Sequence, residues 1–357
     1  MARILHVLPG PRAEGTPRLV LDWLSAGVHE HDLLFLNPEG ELKSEFLAKN
    51  VWQRYNDKFA VSFFAARQIA RLTEEVCLER KPDIVISWPM GFSQWIHWGA
   101  RRAGIKKLIV HSGNPPGTAF VGRYIYTYLS FWIGYFLGSK VICCSDYIKN
   151  EFGRIPFLSK KMFIRVYNCI NVKRFVVKDP VKKPGQVVMV ATMETHKDHE
   201  TLLKAWRIIE DRGHPYKLVL AGSGTLEEKL KDTASELKLS NVHFIGSREN
   251  IPVLMNESPV FVLSTTIQEG FGTVLLEALA SQCTVVATDV PACREVLQSG
   301  KFGTLTPPAN EQALADAIIA AMQRQQTTKE DSEKAAYVLQ FTPEIMMQAY
   351  VDIANRS

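Results

Sequence analysis

The sequence predicts an α/β protein of two doubly wound, Rossmann-like domains with a cleft between them, and three observations carry that prediction. At 357 residues the chain exceeds one ordinary core and suits two domains of roughly 150 to 200 residues each. Short β-branched runs alternate with amphipathic stretches, the pattern of parallel strands joined by helical crossovers. The alternation breaks once, across residues 176–185, a polar stretch with two prolines and no periodicity that reads as a linker.

In the first domain, residues 1–177, strands are expected at 4–8, 84–87 and 108–111, with helices at 18–26 and 94–103. In the second, residues 184–340, strands fall at 187–191, 217–221, 242–246, 259–264 and 284–288. Helices fall at 199–211, 225–238 and about 272–281. No short-period repeat is present, which excludes a solenoid.

Composition narrows the class. With 46% hydrophobic and 22% charged residues there is no compositional case for disorder. A net charge of +5 with scattered Lys and Arg implies no nucleic-acid partner. The cluster Arg101, Arg102, Lys106 and Lys107 fits a solvated face, or contact with an anionic acceptor or membrane headgroups. The six cysteines form no Cys-x-x-Cys pair and sit mostly in apolar runs, as in a reducing compartment. The opening apolar run is too short and too early for a signal peptide, so a cytoplasmic location is expected. Residues 124–138 are apolar, aromatic and uncharged but short of a span. They read as a buried helix, or as one lying peripherally against the inner face of a membrane.

Open parallel sheets bind ligands beyond the carboxyl ends of their strands. The most informative such segment is Glu269-Gly270-Phe271-Gly272-Thr273-Val274-Leu275-Leu276-Glu277, between a buried strand and an amphipathic helix. Its glycines permit close backbone approach, and the helix start aims unpaired amides and a positive dipole end at a ligand, suiting a diphosphate. Glu277 lies one turn beyond Thr273, placed to accept hydrogen bonds from ribose hydroxyls, whereas Glu269 faces the other side of the phosphates, placed to hold sugar hydroxyls. Both also fit ordinary acids at a helix start.

The run 261–308 resembles the donor-binding half of glycosyltransferase family 4, with two glutamates flanking Gly-Phe-Gly and further matches at Val285-Val286-Ala287-Thr288-Asp289, Glu295-Val296, Gly300, Gly303 and Pro307-Pro308. Asn168-Cys169-Ile170-Asn171 with Phe175, Ser145, and Gly222-Ser223-Gly224 agree in order and spacing. The resemblance is strong in the second domain and loose in the first. It implies the GT-B architecture, with residues 341–357 crossing back to the first domain, and a retaining transfer from a nucleotide sugar to a saccharide or lipid-linked saccharide. A UDP-hexose, UDP-glucose first, is the implied donor.

By the same resemblance Glu277 binds ribose, Glu269 contacts the donor sugar, and the amides of Phe271, Gly272, Thr273 and Val274 receive sugar and phosphate oxygens. Ser247 and Arg248 border the base, and Lys197 neutralises the leaving diphosphate. Negative charge builds on the β-phosphate as the glycosidic bond breaks, so the chemistry needs such a cation. Gly15 stands for the family's glycine-rich loop, and His111 for a histidine near the transferred sugar. Two departures stand out: Thr192 replaces the usual arginine five residues before the lysine, and Glu14 replaces a loop glycine. They motivate an alternative, a non-catalytic nucleotide-sugar-binding partner in a polysaccharide assembly.

No Asp-x-Asp triplet occurs, so no cofactor and no metal are expected. His196, Asp198 and His199 lack the spacing of a helical zinc site and read as a strand-to-helix loop. Gly222 and Gly224 begin a dinucleotide fingerprint, but Glu227 stands where its third glycine belongs.

Overall fold

The computed structural model describes residues 1–12, 15–88, 90–116, 121–177, 181–248, 250–324 and 327–356, with 63, 90 and 121–128 described by backbone alone. The chain forms two compact units, the first of residues Met1–Cys169 with Pro343–Ser357 and the second of Ile170–Thr342.

In the first unit the strands are β1 Arg3–Leu8, β2 Glu30–Phe35, β3 Trp52–Tyr55, β4 Ile84–Ser87, β5 Lys107–Ser112, β6 Lys140–Cys143 and β7 Phe163–Arg165. All pair in parallel, in the order β3-β2-β1-β4-β5-β6-β7. Side chains alternate across a strand, so the two faces of the sheet build two cores. Ile4 and Leu8 of β1, Leu33 and Phe35 of β2 and Ile109 of β5 form one. Leu5, Val7, Leu34 and Leu108 form the other, against helix Ala66–Arg80. The C-terminal helix Pro343–Asn355 closes the first core with Met346, Met347 and Tyr350.

The second unit has β8 Gln186–Val190, β9 Lys217–Ala221, β10 Val242–Phe244, β11 Val260–Leu263, β12 Thr284–Thr288 and β13 Thr304–Thr306. These too are all parallel, in the order β10-β9-β8-β11-β12-β13. Strand order reverses direction between β1 and β4 in one sheet and between β8 and β11 in the other. At such a reversal the flanking loops part and leave a crevice at the carboxyl ends.

The expected boundary at residue 177 lies earlier in the structure, at Cys169/Ile170. The turn of helix Val172–Phe175 belongs to the second unit, where Asn256 Nδ2 donates to the Phe175 carbonyl at 2.8 Å. Of the expected linker, residues 178–180 lie outside the described residues. Beyond them Lys182 Nζ donates to the carbonyls of Ser258 (3.1 Å) and Ser281 (3.0 Å), so this part of the segment is bound to the second unit. The chain leaves that unit beside its entry, where Ile170 N donates to Phe341 O at 2.8 Å.

Candidate active site

The loops after β8 and β11 flank the reversal of the second sheet, and they carry Lys197 and Glu269. Three hydrogen bonds tie the loops together, all accepted by the His196 carbonyl: from Thr266 N at 3.0 Å, Thr265 Oγ1 at 2.8 Å and Thr266 Oγ1 at 3.2 Å. Across this junction Lys197 Nζ donates to Glu269 Oε2, and both side chains are largely buried. The other carboxylate oxygen of Glu269 accepts from Gly272 N at 3.1 Å. Glu269 therefore bridges the lysine and the amino end of helix Thr273–Ala280.

Burial on its own pushes the Glu269 carboxyl up. The Lys197 ammonium, with smaller help from His196 and the Gly270 amide, outweighs it and holds the group below the ordinary glutamate range. Buried Cys293 sits in the field of the same pair: burial pushes its thiol up, and the Glu269 charge adds to that. The crevice thus holds one fixed positive and one fixed negative group, each desolvated, beside the positive end of a helix dipole.

The helix is set for this position at both ends. Gly272, with φ 77° and ψ 48°, takes the left-handed conformation that turns the chain from loop into helix, and Leu275 N closes back on its carbonyl at 2.8 Å. Phe271 is buried with its ring 6.2 Å from Phe341, so its side chain anchors the turn while its backbone lines it. Thr273, Val274 and Glu277 are half-buried on the helix. Beyond the carboxyl end, Lys182 and Lys334 donate to the carbonyls of Ser281 (3.0 Å) and Cys283 (3.3 Å), cations where the dipole is negative.

A second pair of loops meets beside the first. Gly222 has φ +140°, and a Cβ there would lie 2.0 Å from the Ala191 carbonyl oxygen; a Cβ on Gly224 would lie 2.4 Å from that of Met193. Both glycines exist so that the loop after β9 can rest on the loop after β8. Glu194 locks this contact by accepting from Thr225 N (2.9 Å) and Oγ1 (2.7 Å). Ser247, after β10, shares a hydrogen bond of 2.8 Å with Ser223. Thr192, Ser247 and Arg248 are exposed around this rim. Asp198 caps helix His199–Asp211 by accepting from Thr201 N at 3.3 Å, which is what the His-Lys-Asp-His run does.

In the first unit Gly15 opens helix Gly15–Ala26 after β1, and a Cβ built on it meets nothing within 4 Å. Glu14 lies outside the described residues. His111, next to last in β5, is buried at 3% exposure with its Nδ1 2.7 Å from the Tyr350 hydroxyl. Its ring stands 4.8 Å from that of Trp88, and burial lowers it to about 4, so it is neutral at pH 7. The structure brings together Lys197, Glu269 and Gly272 in the second unit, with Thr192, Gly222 and Ser247 in its neighbouring loops, and places Gly15 and His111 in the first. Thr265, Glu194, Thr225 and Tyr350 were missed by sequence reasoning. Threonine–carbonyl and glutamate–threonine contacts across loops leave no spacing signature, and Tyr350 reaches His111 from 239 residues away.

Two parallel-sheet α/β units with this crevice have the fold of GT-B glycosyltransferases. The resemblance to solved structures runs the length of the chain: a crystal structure of Anabaena Alr3699/HepE in complex with UDP-glucose matches over 100% of both chains with a TM-score of 0.86 at 17% identity. A glycosyltransferase from Rickettsia africae ESF-5 matches 99% of this chain and 98% of that one, with a TM-score of 0.81 at 16% identity. Residues 173–338, nearly the whole of the second unit, match the family model described as glycosyl transferases group 1. Among curated relatives, the Campylobacter jejuni N-acetylgalactosamine-N,N'-diacetylbacillosaminyl-diphospho-undecaprenol 4-alpha-N-acetylgalactosaminyltransferase is 27% identical over 50% of this chain and 49% of its own. The phosphatidyl-myo-inositol mannosyltransferase of Mycobacterium tuberculosis strain H37Rv is 33% identical over 45% of each chain. The matches thus span about half the length of these relatives.

Proposed function

We propose that the chain is a retaining glycosyltransferase that moves a hexosyl group from a UDP-hexose, UDP-glucose first, to a saccharide or lipid-linked saccharide acceptor in glycan or exopolysaccharide synthesis, without a metal. The observation that carries this reading is the buried Lys197–Glu269 pair joined to the amino end of helix Thr273–Ala280 at the reversal of the second sheet. Such a site can take a diphosphate on amides and lysine while a carboxylate orients sugar hydroxyls.

In this reading the acceptor hydroxyl oxygen bonds to the anomeric carbon on the face from which the diphosphate departs. The bond from that carbon to the β-phosphate oxygen breaks with its electron pair, and a phosphate oxygen takes the hydroxyl proton. Lys197 and the amides of residues 271–274 receive the charge that builds on the phosphate, the work a metal does elsewhere. Glu277 holds ribose, Ser247 and Arg248 border the base, and Thr192, Gly222 and Gly15 approach the phosphates. The solved neighbour with UDP-glucose and the relative named for a diphospho-undecaprenol acceptor favour this donor and acceptor class. No helix among the described residues is long and apolar enough to cross a membrane. Exposed Leu129, Ile133, Tyr135 and Phe136 on helix Val121–Phe136 favour a peripheral contact with the inner membrane face from the cytoplasm.

The test is thermal stabilisation by UDP, GDP and ADP, each with and without magnesium, followed by sugar transfer from the nucleotide sugar selected. A ligand that binds only the folded state raises the midpoint. The expected result is a shift with UDP that magnesium leaves unchanged and Glu277→Ala abolishes. A shift without transfer to a broad acceptor set moves the reading to a non-catalytic nucleotide-sugar-binding partner, which exposed, uncharged Thr192 favours. No shift with any nucleotide overturns both.

A further inference from the structure

The carboxyl end of β5 and the C-terminal helix of the first unit meet in one hydrogen bond, His111 Nδ1 to Tyr350 Oη at 2.7 Å, with both residues buried. Its protons can be assigned. Tyr350 makes no other hydrogen bond among the described residues, and burial raises its hydroxyl well above the ordinary tyrosine range, so it keeps its proton. A buried O–H left without an acceptor is costly, and Nδ1 is the acceptor in reach. Tyr350 therefore donates, Nδ1 accepts, and the one proton of the neutral imidazole sits on Nε2. That nitrogen lies on the side of Gly113, where even an added Cβ would stand 3.7 Å away. Gly113 itself puts no side chain against Nε2.

The ring is also held in place. Trp88 packs at 4.8 Å against His111, and Trp23 meets the Tyr350 ring edge-on at 4.9 Å. Trp88 is fixed in turn by donating its indole N–H to His6 Nδ1 at 3.1 Å, and His6 Nε2 then donates to His31 Nδ1 at 2.9 Å.

We propose that Tyr350 is a positioning residue that fixes His111 as its Nε2–H tautomer, making the end of β5 a hydrogen-bond donor for an oxygen of the sugar rather than a base. The proposal rests on the glycosyltransferase reading and sharpens it. With Nδ1 engaged by Tyr350 and Nε2 already protonated, His111 takes no proton from the acceptor hydroxyl, which leaves that proton to the phosphate.

The experiment is long-range proton–nitrogen correlation on the full chain labelled with ¹⁵N-histidine, with His111 assigned by its loss in His111→Gln. The expected spectrum shows Nε2 protonated and Nδ1 bare in the wild type, and a mixed or exchanging tautomer in Tyr350→Phe. A protonated Nδ1 in the wild type, or a Tyr350→Phe spectrum identical to it, overturns the proposal whatever the activity. In transfer assays Tyr350→Phe should lose about 10- to 100-fold in kcat with little change in KM. The double variant with His111→Gln should be no slower than His111→Gln alone, and independent, additive losses overturn the proposal. If the wild type transfers no sugar, the glycosyltransferase reading falls while the tautomer measurement still stands or fails by itself.

Discussion

Near the carboxyl end of β5 the first unit presents a neutral imidazole, buried among aromatic rings and hydrogen-bonded to a tyrosine. At the carboxyl ends of β8 and β11 the second unit presents two opposite charges buried against each other. Both places lie at the carboxyl ends of parallel strands, β5 one strand outside the reversal of its sheet and β8 and β11 at the reversal of theirs, and they differ in how burial is tolerated. His111 loses its charge on burial, as do His6, His31 and His97 in the same unit. Glu269 keeps its charge because Lys197 and the helix amino end hold it. A buried neutral base is vulnerable to protons, whereas a buried ion pair is vulnerable to loss of its partner.

Acid should separate the two most sharply. His31 and His111 titrate near 4 and His97 near 3 in the folded chain, against about 6.5 unfolded. Between those values the unfolded chain binds more protons, so stability falls as pH drops from about 6.5 toward 4, by roughly 1.4 kcal/mol per pH unit for each histidine. His196 and His199 in the second unit are lowered too, though by less. Glu269, whose folded pKa is depressed, contributes stability above its unfolded value near 4.3 and loses it only as pH falls through its folded value. Six of the seven tryptophans lie in the first unit, Trp206 being the exception. In Trp206→Phe, fluorescence-detected melting should lose its midpoint steeply between pH 6.5 and 4.5. A flat midpoint there would show these histidines to be charged or solvated, and would break the comparison.

Removing the partner is the second-unit counterpart. Lys197→Ala leaves Glu269 buried and uncompensated, which should cost about 3–5 kcal/mol of stability by denaturant unfolding. Turnover should fall by about 10²–10³. Loss under 1 kcal/mol would mean that the pair behaves as a surface ion pair.

Smaller, and purely steric, is Gly222→Ala. The added carbon overlaps the Ala191 carbonyl and φ is +140°, so the expected cost is about 2–3 kcal/mol, measured without any ligand. An unchanged midpoint would show that the loops after β8 and β9 can part.

What could be read from sequence divides along the same line. β8, β9, β11 and β12 are apolar runs buried on both faces, and their pattern is plain. β2 was missed because it opens Glu30-His31-Asp32: Asp32 is buried only because Arg80, 48 residues on, pairs with it at 3.0 Å, and His31 because His6 accompanies it. Local polarity hid a strand whose partners are distant. Lys197 and Glu269 were legible through motif context, since each sits in a short segment joining strand to helix. Their mutual contact was not, because it spans 72 residues. The boundary was misplaced for the same reason: Phe175 looks like the end of the first domain until Asn256 is seen holding its carbonyl.

The smallest expected effect tests whether the first unit takes part in donor binding at all. Gly15 has open space where Gly222 has a carbonyl, so the protein itself makes no steric demand for glycine there. Gly15→Ala at the start of helix Gly15–Ala26 should leave stability unchanged or raise it by about 0.4–1 kcal/mol, by restricting the unfolded chain. If the backbone at Gly15 approaches the donor phosphates, the added methyl stands between them, and UDP should bind about tenfold more weakly, near 1.4 kcal/mol. A midpoint that rises while affinity falls assigns the glycine to the ligand, the reverse of Gly222, whose glycine serves the fold. Unchanged affinity, measured by calorimetry on the same sample, would confine nucleotide recognition to the second unit and leave the first to the acceptor.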